Sequence, residues 1–123
     1  MIVGVGIDLV PVARVAALLE RHGARLLARC FSVGEVTRSD DAEHVAGLLA
    51  AKEAAFKALG TGWGDGVGWT QATVRHDGRG RPVLELSGAA AARARALGSD
   101  AAHLTLTHAG GHAFAVVILE SSR

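Results

Sequence analysis

The segment Ala42 to Leu59, AEHVAGLLAAKEAAFKAL, most constrains what this chain can fold into. Its alanines, leucines, glutamates and lysines are strong helix formers, and their spacing predicts one long helix over about residues 42 to 59. Ser39, Asp40 and Asp41 are candidate N-caps ahead of it, and Gly60 and Gly62 stop it behind. At 100° per residue, Val45, Leu48, Leu49, Lys52, Phe56 and Leu59 fall in one stripe, which must be the core face. Glu53 and Lys57 fall on its flank, beside the small Ala46 and Ala50. An i,i+4 pair of this kind adds only about 0.2–0.5 kcal/mol to an exposed helix. Two readings therefore stay open for it, an ordinary surface ion pair or two charged groups held out for a ligand.

The rest of the chain supplies strands and shorter helices. IVGVGIDLV near the N-terminus is rich in β-branched residues, and a period of two puts Val3, Val5, Ile7 and Leu9 on one face with Gly4, Gly6 and Asp8 on the other. That second face is bare except for its carboxylate. Pro11 ends the strand and opens a helix whose apolar stripe (Val12, Val15, Ala16, Leu18, Leu19) runs as far as His22-Gly23, and a second short helix covers residues 24 to 30. SVGEVTRSDDAEH is a connection. Beyond the glycine-rich segment 60 to 68, WTQATVRHDGRGRPVLEL predicts two strands joined by a turn at Asp77-Gly78, and GAAAARARALG predicts a short Ala-rich helix. AHLTLTHAGGHAFAVVILE predicts a closing hairpin that turns at Gly110-Gly111.

The order β-α-α-α-β-β-α-β-β specifies an α+β domain with a mainly antiparallel sheet, one long central helix and short helices. At 123 residues and 12.6 kDa the chain is long enough for one core, so residues 1–123 are expected to be a single domain. The last strand is apolar on both faces, with Phe114, Val116 and Ile118 on one and Ala115, Val117 and Leu119 on the other. Both faces need covering, and a subunit interface is one source of cover.

Thirteen Lys and Arg against twelve Asp and Glu give a net charge of +1, so no bulk field draws the chain to nucleic acid or to an anionic membrane. An acidic partner must be met by a local patch. Arg14 and Arg21 lie seven residues apart on the first helix, hence about 20° apart around its axis, and form such a strip. The lone cysteine, Cys30, has no partner for an internal disulfide, which fits a reducing interior and a buried thiol. MIVGVGIDLVP lacks a basic n-region, carries Asp8 and meets Pro11, so it fails as a signal peptide, and no apolar run approaches the roughly 18 residues of a membrane span. A cytoplasmic location is expected.

Chemistry gathers around Asp8. Burying a carboxylate unpaired is costly, so stability explains it poorly on the glycine face of an apolar strand. Asp8 and Glu53, two carboxylates from distant segments with glycines that let a ligand approach the backbone, make a candidate magnesium site. Mg²⁺ takes one or two protein carboxylates and completes its octahedron with water and substrate phosphate oxygens. Lys57, one turn beyond Glu53, would reach the same phosphates, and Gly60-Thr61-Gly62 adds backbone N–H groups for an anion. His103 alternates with Thr105 and Thr107 along one strand face, either as a surface strip satisfied by solvent or as a ligand contact. His108 and His112 flank the closing turn, but two histidines without a further ligand are a weak zinc signal. His22, His44 and His76 receive no role.

GVGIDLVPVAR near the N-terminus and AAKEAAFKALGTG at mid-chain together resemble the holo-acyl-carrier-protein synthase family of 4'-phosphopantetheinyl transferases. FSVGE at 31 to 35 and HLTLTHAGGHAFAVVILE at the C-terminus extend the resemblance over nearly the whole chain. It implies transfer of phosphopantetheine from coenzyme A to a serine hydroxyl of apo acyl carrier protein, with release of adenosine 3',5'-bisphosphate, as in fatty acid biosynthesis. By motif, Asp8 and Glu53 would hold Mg²⁺ against the pyrophosphate and Lys57 would neutralise phosphate charge. A metal-bound water or Glu53 itself would take the serine proton. His103 and Thr107 would contact coenzyme A, with Gly60, Thr61 and Gly62, and His103 would take a catalytic part beside Glu53 and Lys57. Arg14 and Arg21 would meet the carrier protein beside the metal. The family further implies a homotrimer with sites between subunits. Two departures stand out: Leu48 and Leu49 replace an arginine and an aromatic, removing one phosphate contact, and Ala109 replaces the aspartate that follows the histidine in some relatives. The rival readings are a noncatalytic carrier-protein or nucleotide-binding module and a metal-dependent hydrolase acting on coenzyme A.

Overall fold

Strand β1, Ile2–Pro11, forms one edge of a three-stranded antiparallel sheet in a computed structural model that describes residues 1–61 and 66–123. The sheet order is β1-β5-β4, where β4 is Ala101–Ala109 and β5 is His112–Glu120. β4 and β5 are the predicted hairpin, and both Gly110 and Gly111 take the positive φ that its turn requires. Asp8 pairs with Ala115 and Ala115 with Leu106, while Val5 pairs with Ile118 and Ile118 with His103. Because directly paired residues share a face, the register divides the sheet cleanly. One face holds Gly4, Gly6 and Asp8 beside Ala113, Ala115, Val117 and Leu119. The other holds Val5, Ile7 and Leu9 beside Phe114, Val116 and Ile118, with His103, Thr105 and Thr107 at its far side.

Helix α2 of the present numbering, Ala42–Leu59, lies across the first face. The side chain of Asp41 caps it by accepting the His44 N–H at 3.2 Å, and Gly60 ends it at φ 69° with its own N–H turned back to Lys57 O. Its alanines at 46, 50, 54 and 58 are all buried, and so are Val45, Leu48, Leu49 and Leu59 on its other sides. A helix apolar nearly all round belongs inside a molecule rather than on its surface. The expected low, open flank at Ala46 and Ala50 is therefore corrected: those alanines are small because the sheet presses on them.

The glycine face of β1 needs the same correction. It is not bare for a ligand, because α2 occupies it. A Cβ placed on Gly6 would lie 1.9 Å from Ala54 O, and one on Gly4 would lie 2.3 Å from Ala58 O. Absence of side chains at these two positions lets the helix and strand backbones pack closer than any Cβ would allow, and the apolar Val5, Ile7 and Leu9 are left outward at 59%, 59% and 50% exposure.

Helix α1, Val12–Cys30, follows Pro11 directly and packs on α2 through Val15, Leu19, Leu26 and Leu27. The chain makes one helix here where the sequence reading expected two. Gly23 weakens a helix by only about 0.5–1 kcal/mol, and the apolar contacts on both sides of it carry the helix through. β2 (Ala72–His76) and β3 (Pro82–Leu86) form a separate two-stranded sheet, entered through a 3₁₀ turn at Trp69–Gln71. Asp77 Oδ1 accepts the N–H groups of Arg79 and Arg81 in the intervening turn. Helix α3, Gly88–Ala96, returns the chain to β4. The result is the α+β arrangement expected, with a wholly antiparallel sheet among the described residues. Among the described residues, no helix is long and apolar enough to cross a membrane.

Candidate active site

Asp8, Glu53 and Lys57 come together where β1 passes under α2. The Lys57 ammonium donates to Asp8 Oδ1 at 2.9 Å and to Ile7 O at 3.1 Å. The other Asp8 oxygen, Oδ2, is buried and accepts no hydrogen bond. Glu53 stands beside it, half-buried on α2. Burial pushes the Glu53 carboxyl up to about 7, helped by a hydrogen bond to Asp8 when protonated and by the charge of Asp8, against the pull of Lys57 and Arg14. With both groups ionised, two carboxylates face each other and one oxygen has no donor. An arrangement of that kind asks for a cation.

The chemistry of the donors matches a hard divalent ion. Two carboxylates are what Mg²⁺ takes from a protein when phosphate and water complete its shell. No cluster of three or more His, Cys, Asp or Glu able to hold a metal occurs among the described residues, so a closed zinc-type site is not built here. His108 and His112 do not converge: His108 Nε2 donates to Glu43 O at 3.0 Å, and His112 Nδ1 donates to Gly110 O at 2.9 Å.

One helical residue before Glu53 lies the feature that sequence reasoning caught only by half. Lys52, placed on the core stripe, has no exposed surface at all. Its three ammonium protons are all used, on Glu35 Oε1 at 2.9 Å, Trp69 O at 3.0 Å and Ala72 O at 2.8 Å. Glu35 is equally saturated, accepting also from Ser32 N at 3.0 Å and Val74 N at 2.6 Å. The ring of Phe31 lies 5.1 Å from the ammonium. Burial pulls the Lys52 pKa down while Glu35 pulls it back up. This pair ties the 31–37 loop, the 3₁₀ turn and β2 to the helix that carries Glu53. A lysine on a core stripe was the available signal; its partner, seventeen residues earlier in a loop, closes the FSVGE stretch that marked the resemblance, but nothing local pointed from it to Lys52.

The remaining predicted residues fall in three places. Arg14 is exposed on α1 and lines, with Glu53, Leu9, Leu18, Leu49 and Trp69, a cavity of about 170 Å³ between α1 and α2. Arg21 is exposed farther along the same helix. Gly60 and Thr61 stand at the C-terminus of α2, but their N–H groups cap it, on Lys57 O and Phe56 O at 3.1 Å each, so the expectation that the Gly60-Thr61-Gly62 amides stand open to an anion is corrected for the first two. The cation beside them is Arg93, whose Nε donates to Leu59 O at 2.9 Å and whose side chain lines a cavity with Gly60 and Thr61. Gly62 lies outside the described residues. His103 and Thr107 are exposed on the opposite face of the sheet from Asp8, and His103 Nε2 meets Glu120 Oε1 at 3.0 Å. Leu48 and Leu49 are buried core residues.

Comparison with known proteins gives these parts a common frame. Residues 4–117 match the model of the 4'-phosphopantetheinyl transferase superfamily. The chain is 49% identical over 127 residues to the holo-[acyl-carrier-protein] synthase of Alkalilimnicola ehrlichii, covering 99% of each. It superposes with a TM-score of 0.78 at 36% identity on a holo-(acyl-carrier-protein) synthase from Bacillus anthracis in complex with CoA (3',5'-ADP), over 99% of each chain. The Helicobacter pylori holo-[acyl-carrier-protein] synthase in complex with coenzyme A gives a TM-score of 0.84 at 28% identity, over 94% of this chain and 99% of that one. Sequence and structure agree over nearly the whole chain, and the chain belongs to the 4'-phosphopantetheinyl transferase superfamily.

Proposed function

We propose that Asp8, Glu53 and Lys57 form the centre at which this chain transfers 4'-phosphopantetheine from coenzyme A to a serine hydroxyl of apo acyl carrier protein. The observation that carries the assignment is the buried, donorless Oδ2 of Asp8 facing a second carboxylate. Asp8 and Glu53 would hold Mg²⁺, which neutralises charge on the pyrophosphate and favours in-line displacement. In that displacement the serine oxygen bonds to the β-phosphorus, the bond from that phosphorus to the bridging oxygen breaks, and adenosine 3',5'-bisphosphate leaves. Glu53 accepts the serine proton, directly or through water. Lys57, on the solvent side of Asp8, binds phosphate oxygens.

Coenzyme A is proposed to run past Gly60, Thr61 and Gly62 and to meet His103 and Thr107. The sheet stands between those two residues and Asp8 within one subunit, which supports a homotrimer with sites between subunits. The outward apolar residues of β1 are then an interface. Arg14, which shares a cavity wall with Glu53, and Arg21 are proposed to receive the acidic carrier protein. A cytoplasmic location accords with these substrates. Mass spectrometry of apo carrier protein after incubation with enzyme, coenzyme A and Mg²⁺ tests the whole reading. Gain of one phosphopantetheine, abolished by chelator, is expected. Binding of coenzyme A or carrier protein without that gain would favour a noncatalytic module, and release of the nucleotide without carrier protein would favour a hydrolase.

A further inference from the structure

The Asp8 carboxylate already holds a cation in this structure, and that cation is the Lys57 ammonium. The two partners differ sharply in freedom. Asp8 is locked in β1 beneath α2 with its side chain 8% exposed, whereas the Lys57 side chain is 57% exposed on a long, flexible stem. Lys57 can leave for solvent; Asp8 cannot follow. The ammonium also reaches the Ile7 carbonyl, so it bridges the strand backbone and the Asp8 carboxylate. A divalent ion arriving at Asp8 and Glu53 must then either displace Lys57 or endure a like charge against it.

Resting on the assignment of Asp8 and Glu53 as metal ligands, we infer that Lys57 is a resident counterion that competes with the metal, and that substrate phosphates draw it off Asp8. Metal and coenzyme A then bind with positive coupling. In the free enzyme Lys57 holds metal affinity down; with phosphates at hand the same ammonium has a better partner, and Asp8 is released to the metal. Linkage requires that coenzyme A raise metal affinity by the same factor that metal raises coenzyme A affinity.

The test is equilibrium binding of Mn²⁺, followed by electron paramagnetic resonance of the free ion, to the full-length protein without and with coenzyme A, corrected for Mn²⁺ held by coenzyme A alone. Without coenzyme A, Lys57→Met is expected to bind Mn²⁺ at least about tenfold more tightly than wild type, and Lys57→Arg to remain as weak as wild type. Arg14→Met removes a nearby charge that does not touch Asp8, and should tighten binding by no more than about fivefold. Coenzyme A should raise the Mn²⁺ affinity of wild type by a larger factor than that of Lys57→Met. Equal Mn²⁺ affinities in wild type and Lys57→Met, or an equal gain in Arg14→Met, overturn the inference while leaving the metal site standing. Tight Mn²⁺ binding that persists in Asp8→Asn/Lys57→Met places the ion elsewhere and overturns the metal assignment itself, as does absence of Mn²⁺ binding to every variant with coenzyme A present.

Discussion

Leaving a buried carboxylate oxygen without a donor costs about 1–3 kcal/mol, which offsets what the ion pair to the half-exposed Lys57 returns at Asp8. Asp8→Asn and Glu53→Gln are therefore expected to remove most transfer activity while changing stability by less than about 1 kcal/mol. Activity assays with denaturation curves on the same samples check this; near wild-type turnover of either variant at saturating Mg²⁺ would sink the two-carboxylate site. Lys52 should behave in the opposite way. Lys52→Met leaves Glu35 buried and uncompensated, so a loss of about 3–5 kcal/mol is expected, and adding Glu35→Gln should recover part of it by removing the stranded charge, although its single amide oxygen can accept from only one of the Ser32 and Val74 N–H groups, which now bond different carboxylate oxygens. If Lys52→Met unfolds at the wild-type denaturant midpoint, the pair contributes nothing to the fold. Neighbours on one helix would thus divide the work: Lys52 fixes the loop and β2, and Glu53 is the residue proposed to face the substrate.

Among elements, the crossing of α2 over β1 decides the site, because it brings residues 8, 53 and 57 within reach of one another. Gly6→Ala must push a Cβ against Ala54 O at 1.9 Å, so the helix has to lift, at a cost of about 3 kcal/mol or more, with loss of activity in whatever protein folds. Gly23→Ala meets no atom within 4 Å in the middle of α1 and should stabilise by about 0.5–1 kcal/mol with unchanged kinetics. Urea midpoints for the two variants give the comparison, and a mild effect at Gly6 would mean the two backbones are not held so close. This contrast also shows what the sequence could and could not reveal. The limits of α2 were readable because caps are local: Asp41 and Gly60 sit at its ends and act on adjacent backbone. The alternation of β1 was readable too, but not what covers each face, since glycine at positions 4 and 6 serves a helix or a ligand equally well until the helix is placed. The break expected at Gly23 failed for a related reason, because local propensity of this size yields to packing along the rest of α1.

Across the whole molecule, the sheet parts the residues proposed for the site: Asp8, Glu53 and Lys57 lie on the α2 side, while His103 and Thr107 lie on the outward side with Val5, Ile7 and Leu9. A site that uses both sets must draw them from two copies of the chain. In a ring of three, each site would take Asp8 from one subunit and His103 from the next. Asp8→Asn and His103→Ala should each be nearly inactive alone for different reasons, the first lacking a metal ligand and the second a coenzyme A contact. When equal amounts are dissociated and reassociated together, random assembly gives about a quarter of the sites both wild-type residues. Transfer activity of the exchanged mixture should therefore rise to about a quarter of wild type, whereas the two proteins blended without exchange should stay as inactive as before. If sites were complete within one subunit, every site would carry one lesion or the other and exchange would restore nothing. That result, with subunit exchange verified by native mass spectrometry of a size-tagged partner, would place Asp8 and His103 in the service of one site within a single chain and overturn the site between subunits.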